Sequence, residues 1–138
     1  MLHTLRHAMM DDKLFFDILK TFYLEHAQGH IVTSDFTKYV NKRTGKNWDK
    51  FFEQYLYFAQ TPIFEYKVKK KKKGIVLEYR WNSKVEGFDM PIQVGMKDNY
   101  QLIHPTSEWQ TMRFKKMNVE DFRVARELFL VRLGNYSE

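Results

Sequence analysis

The sequence predicts an α+β fold, a short helical N-terminal part followed by an antiparallel β-sandwich, and three observations carry that prediction. The hydrophobic period changes from about 3.6 residues upstream of Ala59-Gln60-Thr61-Pro62 to about 2 downstream. Hydrophobic residues make 43% of the 138 and aromatics 17%, which is too apolar for a disordered chain. There is no internal repeat and no low-complexity linker, so the two parts are expected to pack directly on one another. A folded chain of this length buries roughly two-thirds of its unfolded surface, enough for a core. The longest apolar runs are only a few residues, too short for a membrane-spanning helix.

The helical part reads as four elements. A first helix covers residues 2–10. In the second, Leu14, Phe15, Ile18, Leu19, Phe22 and Tyr23 recur at helical spacing as a wide apolar stripe. Asp11 or Asp12 is placed to cap its start, where acidic groups also suit the positive end of the helix dipole, and Gly29 to stop it in a left-handed conformation. A third helix runs from Thr33 or Ser34 to Gly45 and buries Phe36, Tyr39 and Val40. The fourth is capped by Asn47 and buries Trp48, Phe51, Phe52, Tyr55 and Leu56.

Strands follow. Pro62 opens an extended run, where its missing N–H costs least. Ile75, Leu77, Tyr79 and Trp81 alternate with Val76, Glu78, Arg80 and Asn82, the pattern of a half-buried strand. Met90, Ile92, Val94 and Met96 alternate likewise, and Asp98-Asn99 reads as a turn into Tyr100-Gln101-Leu102-Ile103. Further strands are expected at 108–115, 122–124 and 127–133, a spacing that suits a sandwich.

The order of several short patterns resembles one family. A helix carrying Phe51-Phe52-Glu53-Gln54-Tyr55-Leu56, then a short turn and Pro62-Ile63-Phe64-Glu65-Tyr66, is similar to the place in the gluzincin (aminopeptidase N-like) zinc aminopeptidases where the last helices of the catalytic domain hand over to a small β-sandwich. Leu2-His3-Thr4-Leu5-Arg6 resembles that family's L-x-x-L-R helix, and Asp11-Asp12-Lys13-Leu14-Phe15-Phe16 its G-D-x-x-F-F segment, with Asp11 where Gly is usual. Thr33-Ser34-Asp35-Phe36 resembles T-x-x-D-F with one residue fewer, and Phe88-Asp89-Met90-Pro91 resembles F-x-[ML]-P. The resemblance implies that residues 1–60 are the C-terminal helices of a peptidase catalytic domain and 61–138 its β-sandwich, in the family's shorter architecture without the long helical C-terminal domain.

What the sequence lacks then decides what it can do alone. It contains no H-E-x-x-H, the pattern in which two His one helical turn apart hold zinc and the intervening Glu acts as general base. The family's exopeptidase motif, its downstream zinc-binding Glu and its oxyanion-steadying Tyr are also missing. The expectation is a non-catalytic C-terminal portion of a metallopeptidase that removes N-terminal residues from peptides. Zinc, the peptide substrates and the upstream catalytic domain belong to the implied parent. No catalytic, cofactor-binding or metal-ligating residue is assigned in this chain. The apolar stripe of the second helix is expected to lose a partner when the chain is isolated, and to self-associate as a two-fold dimer. No signal-peptide pattern is visible, and the absence of Cys removes disulfides and thiolate chemistry without fixing a compartment.

Other candidates have blander readings. His3 and His7 have the spacing of two zinc ligands, but Thr4 stands where the catalytic Glu would be and Arg6 sits beside the position of a dication. They read as surface or capping residues of the first helix. His26, His30 and His104 show no ligand spacing. The pairs Asp11 with Asp12 and Glu120 with Asp121 read as caps and solvated turns. The run Lys67-Val68-Lys69-Lys70-Lys71-Lys72-Lys73 holds six Lys, as many as the formal charge of +6, so basicity is local. It reads as a hairpin turning near Lys73-Gly74, whose charges keep an exposed edge from pairing. The alternative is a nucleic-acid or anion-binding module built on Lys67–Lys73, with Phe64, Tyr66, Tyr79 and Trp81 near enough to suggest a stacking platform. Their alternation argues instead for a core face. A stand-alone structural or interaction domain is the third possibility.

Overall fold

The computed structural model describes residues 1–137. Four helices come first: α1 (Leu2–Met9), α2 (Asp12–His26), α3 (Thr33–Thr44) and α4 (Asp49–Tyr57). Seven strands follow: β1 (Ile63–Lys71), β2 (Gly74–Asn82), β3 (Ile92–Met96), β4 (Asn99–Ile103), β5 (Gln110–Lys115), β6 (Arg123–Val124) and β7 (Arg132–Asn135). The class is α+β, as the change of period predicts.

Local chemistry explains the helix ends. The Leu14 amide donates to Asp11 Oδ1 at 3.0 Å, so Asp11 caps α2. Asp12 instead receives two 2.8 Å bonds from Arg6, which lock the elbow between α1 and α2. Gly45 closes α3 at φ 66, in the left-handed conformation expected of it. Gly29 differs from expectation. It is not left-handed, and α2 ends earlier, at His26, with the Gly29 amide donating to the His26 carbonyl. Asn47 Oδ1 accepts the Asp49 amide just ahead of α4, although the cap position itself falls on Trp48, one residue later than expected.

The strands form two sheets, one in the order β5-β2-β1-β7 and one in the order β4-β3-β6. In the β1–β2 hairpin Phe64 faces Trp81, Tyr66 faces Tyr79 and Val68 faces Leu77, so one face of β2 is apolar, as its alternation predicts. Between the sheets, Phe122 just ahead of β6 lies 5.8 Å from Tyr66 and 6.0 Å from Phe114, ring centroid to centroid. Three differences from the sequence reading stand out. The β3–β4 turn is Lys97-Asp98, one residue earlier than expected, with Asp98 at φ 64. The segment expected as a strand at 127–133 begins as a 3-10 turn over Arg126–Leu128, and only Arg132–Asn135 pairs. That last strand runs parallel to β1, so the sandwich is mostly rather than wholly antiparallel.

One hydrophobic cluster includes residues from both parts, among them Leu5, Ile18, Phe51, Phe64, Trp81 and Ile92. Polar pegs cross the same junction. The Leu130 amide donates to Thr4 Oγ1 at 2.9 Å, Gln93 Nε2 donates to the His7 carbonyl at 3.0 Å, and Gln54 binds both Ser83 and the Gln60 carbonyl. Thr4, Gln54 and Gln93 are buried, and such groups are tolerated only when bonded. Among the described residues no buried side-chain nitrogen or oxygen lacks a partner.

Candidate functional surfaces

The helical part presents the first candidate. Inside, α2 buries Phe15 and Ile18, with Phe22 packed on Phe36 and Tyr39 at 5.2 and 5.3 Å. Outside, it exposes Phe16, Tyr23 and Leu24 by 51, 70 and 63%. These three and Lys20 recur at i, i+4, i+7 and i+8, which puts them on one face of the helix. The exposed side of α2 also carries Asp12, Lys13, Asp17, Lys20 and Glu25, so the three apolar side chains stand among charged ones. Tyr23, read from the sequence as part of the inward stripe, therefore belongs to the outward face. Leu56, expected in the core, is also exposed, beside the exposed Tyr57 and Phe58 at the end of α4. Phe36 and Tyr39 of α3 are only half-buried, leaving Val40 as its buried residue.

His3 and His7, whose spacing raised and whose neighbours argued against a zinc site, lie side by side on α1. The rings of His3 and His7 meet edge to face with centroids 4.6 Å apart, but Asp12, the nearby carboxylate, is held by Arg6. Burial, with the neighbouring His3 and Arg6, holds His7 below the ordinary imidazole value. Among the described residues no three His, Asp or Glu side chains converge as a ligand set, so the donors present do not fit zinc. His26 stacks on Phe22 at 4.2 Å and bonds the Phe22 carbonyl. His104 lies near Trp48 and Met90, and His30 is exposed. Of the second carboxylate pair, Asp121 accepts from Asn118 at 3.2 Å, which is a turn role.

The second candidate is the basic hairpin. Lys72 and Lys73 form its two-residue loop between Lys71 and Gly74. The aromatics suggested as a stacking platform point the other way: Phe64, Tyr79 and Trp81 are buried on the inner face. On the outer face stands Trp109, 41% exposed, with Lys67 Nζ and Arg80 Cζ over its ring at 4.7 and 4.8 Å. Lys69 pairs with Glu78 at 3.2 Å. Lys71, Lys72 and Lys73 instead share a hollow of about 520 Å³ with Arg113, Lys115 and Lys116. The last three were not singled out in the sequence, though Arg113 and Lys115 occupy alternate positions of the expected 108–115 strand.

Behind the hairpin, Glu65 is buried on β1. Burial pushes its carboxyl up, but bonds from Asn82 and Arg80, the charge of Arg80, and Tyr136 outweigh that and hold it below the ordinary value. At the junction, burial pushes the Tyr55 phenol well above its ordinary value while its hydroxyl donates to the Leu130 carbonyl at 2.8 Å.

Four helices feeding a two-sheet sandwich define an α+β module. Over 96% of its length this chain superposes on Legionella pneumophila aminopeptidase A, solved in complex with aspartic acid, with a TM-score of 0.74 and 13% sequence identity. The match spans 16% of that aminopeptidase chain. At such identity the likeness is one of fold. No protein-family profile matches the sequence. No curated protein matches it either.

Proposed function

We propose that this chain is a non-catalytic portion of a zinc-dependent aminopeptidase, in which residues 1–60 end the catalytic domain and 61–138 form the adjoining sandwich. The observation that carries the reading is the fold likeness to a part of an aminopeptidase over nearly the whole chain. Two further points support it. The ordered motifs from Leu2-His3-Thr4-Leu5-Arg6 to Phe88-Asp89-Met90-Pro91 resemble the gluzincin join between catalytic domain and sandwich. And α2 leaves Phe16, Tyr23 and Leu24 exposed on the side away from the sandwich, where a neighbouring element of a larger protein could pack.

In this reading the catalytic part of the parent covers Phe16, Tyr23 and Leu24. That part would also supply the zinc ligands, the general base and the peptide subsites. The module contributes a rigid buttress, pinned to the sandwich through Thr4, Gln54 and Gln93. Sequencing the gene upstream of the Met1 codon tests the proposal. An in-frame or co-expressed polypeptide carrying H-E-x-x-H that co-purifies with this chain is expected. A gene neighbourhood with no such polypeptide, together with a monomer that binds no hydrophobic dye, would overturn it in favour of an autonomous interaction domain.

A further inference from the structure

The six cations around the hairpin hollow come from two segments about forty residues apart, and the backbone brings them together by two devices. Gly74 pairs with Lys115 at φ 138, and a Cβ there would lie 2.0 Å from the Phe114 carbonyl oxygen, so the hairpin is pressed against β5 more closely than any other residue permits. Lys116, turned to a left-handed φ of 57, donates its amide to the Lys73 carbonyl at 3.1 Å and closes the rim. The lining contains no carboxylate. With Lys67, Lys69 and Lys70 on the same hairpin, the chain's formal positive excess of +6 lies at this end of the molecule. Like charges held together cost stability unless something neutralises them.

We propose that this hollow binds a chain of phosphates, either the backbone of a single-stranded nucleic acid or a linear polyphosphate. Lys-rich linings hold phosphate as point charges, and a concavity receives a narrow chain rather than a plane. A bilayer would need a flat or convex face with apolar side chains to insert, whereas Ile75, the apolar residue of the lining, is wholly buried. Trp109 stands at the other end of β5 from the hollow, with Lys67 and Arg80 already on its ring, and marks where a base of a longer strand could stack on the remaining exposed surface. The inference does not depend on the aminopeptidase reading.

The test is fluorescence anisotropy of a labelled oligo(dT) titrated with the full chain at several salt concentrations, with linear polyphosphate and poly-glutamate as competitors. Counterion release from five or six phosphate contacts predicts a fall in affinity of about 100- to 300-fold between 50 and 200 mM salt. The combined variant Lys72→Ser, Lys73→Ser, Lys115→Ser is expected to weaken binding and lower the log–log salt slope by about 2. A charge-matched control, Lys38→Ser, Lys42→Ser, Lys46→Ser, is expected to leave the slope unchanged. Thermal unfolding verifies that both variants remain folded, and the single change Lys72→Ser, expected to lower the slope by about 0.7, stands in if the triple variant does not fold. Displacement by polyphosphate, phosphate for phosphate, indicates the free chain. Tighter binding of oligo(dT) that is lost in Trp109→Ala indicates nucleic acid. Absence of binding at low salt, equal weakening by the control, or competition by poly-glutamate as effective as that by polyphosphate would each overturn the proposal.

Discussion

Trp81→Ala is the sharpest test of the packing described above. The indole is 2% exposed, with Phe64 and Phe88 at 5.4 and 5.2 Å in edge-to-face contact, and its Nε1 donates to the buried Met90 carbonyl at 2.8 Å. Truncation removes a large apolar group and leaves a cavity, a change that costs about 3–5 kcal/mol in cores. It also strands the Met90 carbonyl, worth about 1–3 kcal/mol when water cannot reach it. The two losses share one site and do not add fully, so about 4–5 kcal/mol is expected. Trp81→Phe keeps most of the apolar volume and loses the bond, for about 1–3 kcal/mol. Urea unfolding followed by circular dichroism measures both, with a shifted midpoint and an unchanged slope as the sign of a pure stability effect. A Trp81→Ala cost below about 1 kcal/mol would refute the placement of this strand's inner face.

Glu65 makes stability depend on pH: its folded value lies below the ordinary 4.5, so its contribution is complete above that value and is lost as pH falls through the folded value. Urea midpoints measured on the acid side are expected to drop more steeply in the native chain than in Glu65→Gln. Replacing Lys69 to Lys73 by Ser is expected to change stability by no more than about 0.5 kcal/mol, since these side chains are exposed, and loss of cooperative unfolding would contradict the hairpin. Gly74→Ala is expected to destabilise by at least about 1–3 kcal/mol, because the strain of a positive φ is joined by a Cβ clash with the Phe114 carbonyl oxygen, read as a lower melting temperature. Without a covering partner the α2 face is expected to meet itself, giving a dimer in light scattering that Tyr23→Ser with Leu24→Ser dissolves at little cost in stability.

The elements most legible in the sequence were those whose pattern repeats several times on one face. The Leu14-to-Phe22 spacing and the Ile75-to-Trp81 alternation each record burial of one face, and both elements lie where their periods put them. The last strand was misread because its pairing is not written locally. Arg132-Leu133-Gly134-Asn135 has weak alternation, and it becomes a strand because β1 offers a free edge beside it. Tyr23 failed for a different reason. Helical spacing identifies apolar residues on a face but does not distinguish a core within the chain from one completed by another. The basic site was half visible: the Lys run is plain, whereas Arg113, Lys115 and Lys116 join it only through the pairing of Gly74 with Lys115.

The parallel pairing of β1 with β7 has a consequence for synthesis. Strand β1 is made well before its parallel partner, and its outer edge at Ile63 to Tyr66 is closed by Arg132 to Asn135, after which Ser137 Oγ accepts the Val68 amide at 2.7 Å. Until that last strand is made, the β1–β2 hairpin carries an open edge beside apolar rings, the state in which nascent chains stick to one another. The charges of Glu65, Lys67 and Lys69 interrupt that edge and hinder a second nascent hairpin from docking. A nascent chain halted before residue 132 would hold the open form, and its accessibility to protease should disappear once the last strand emerges.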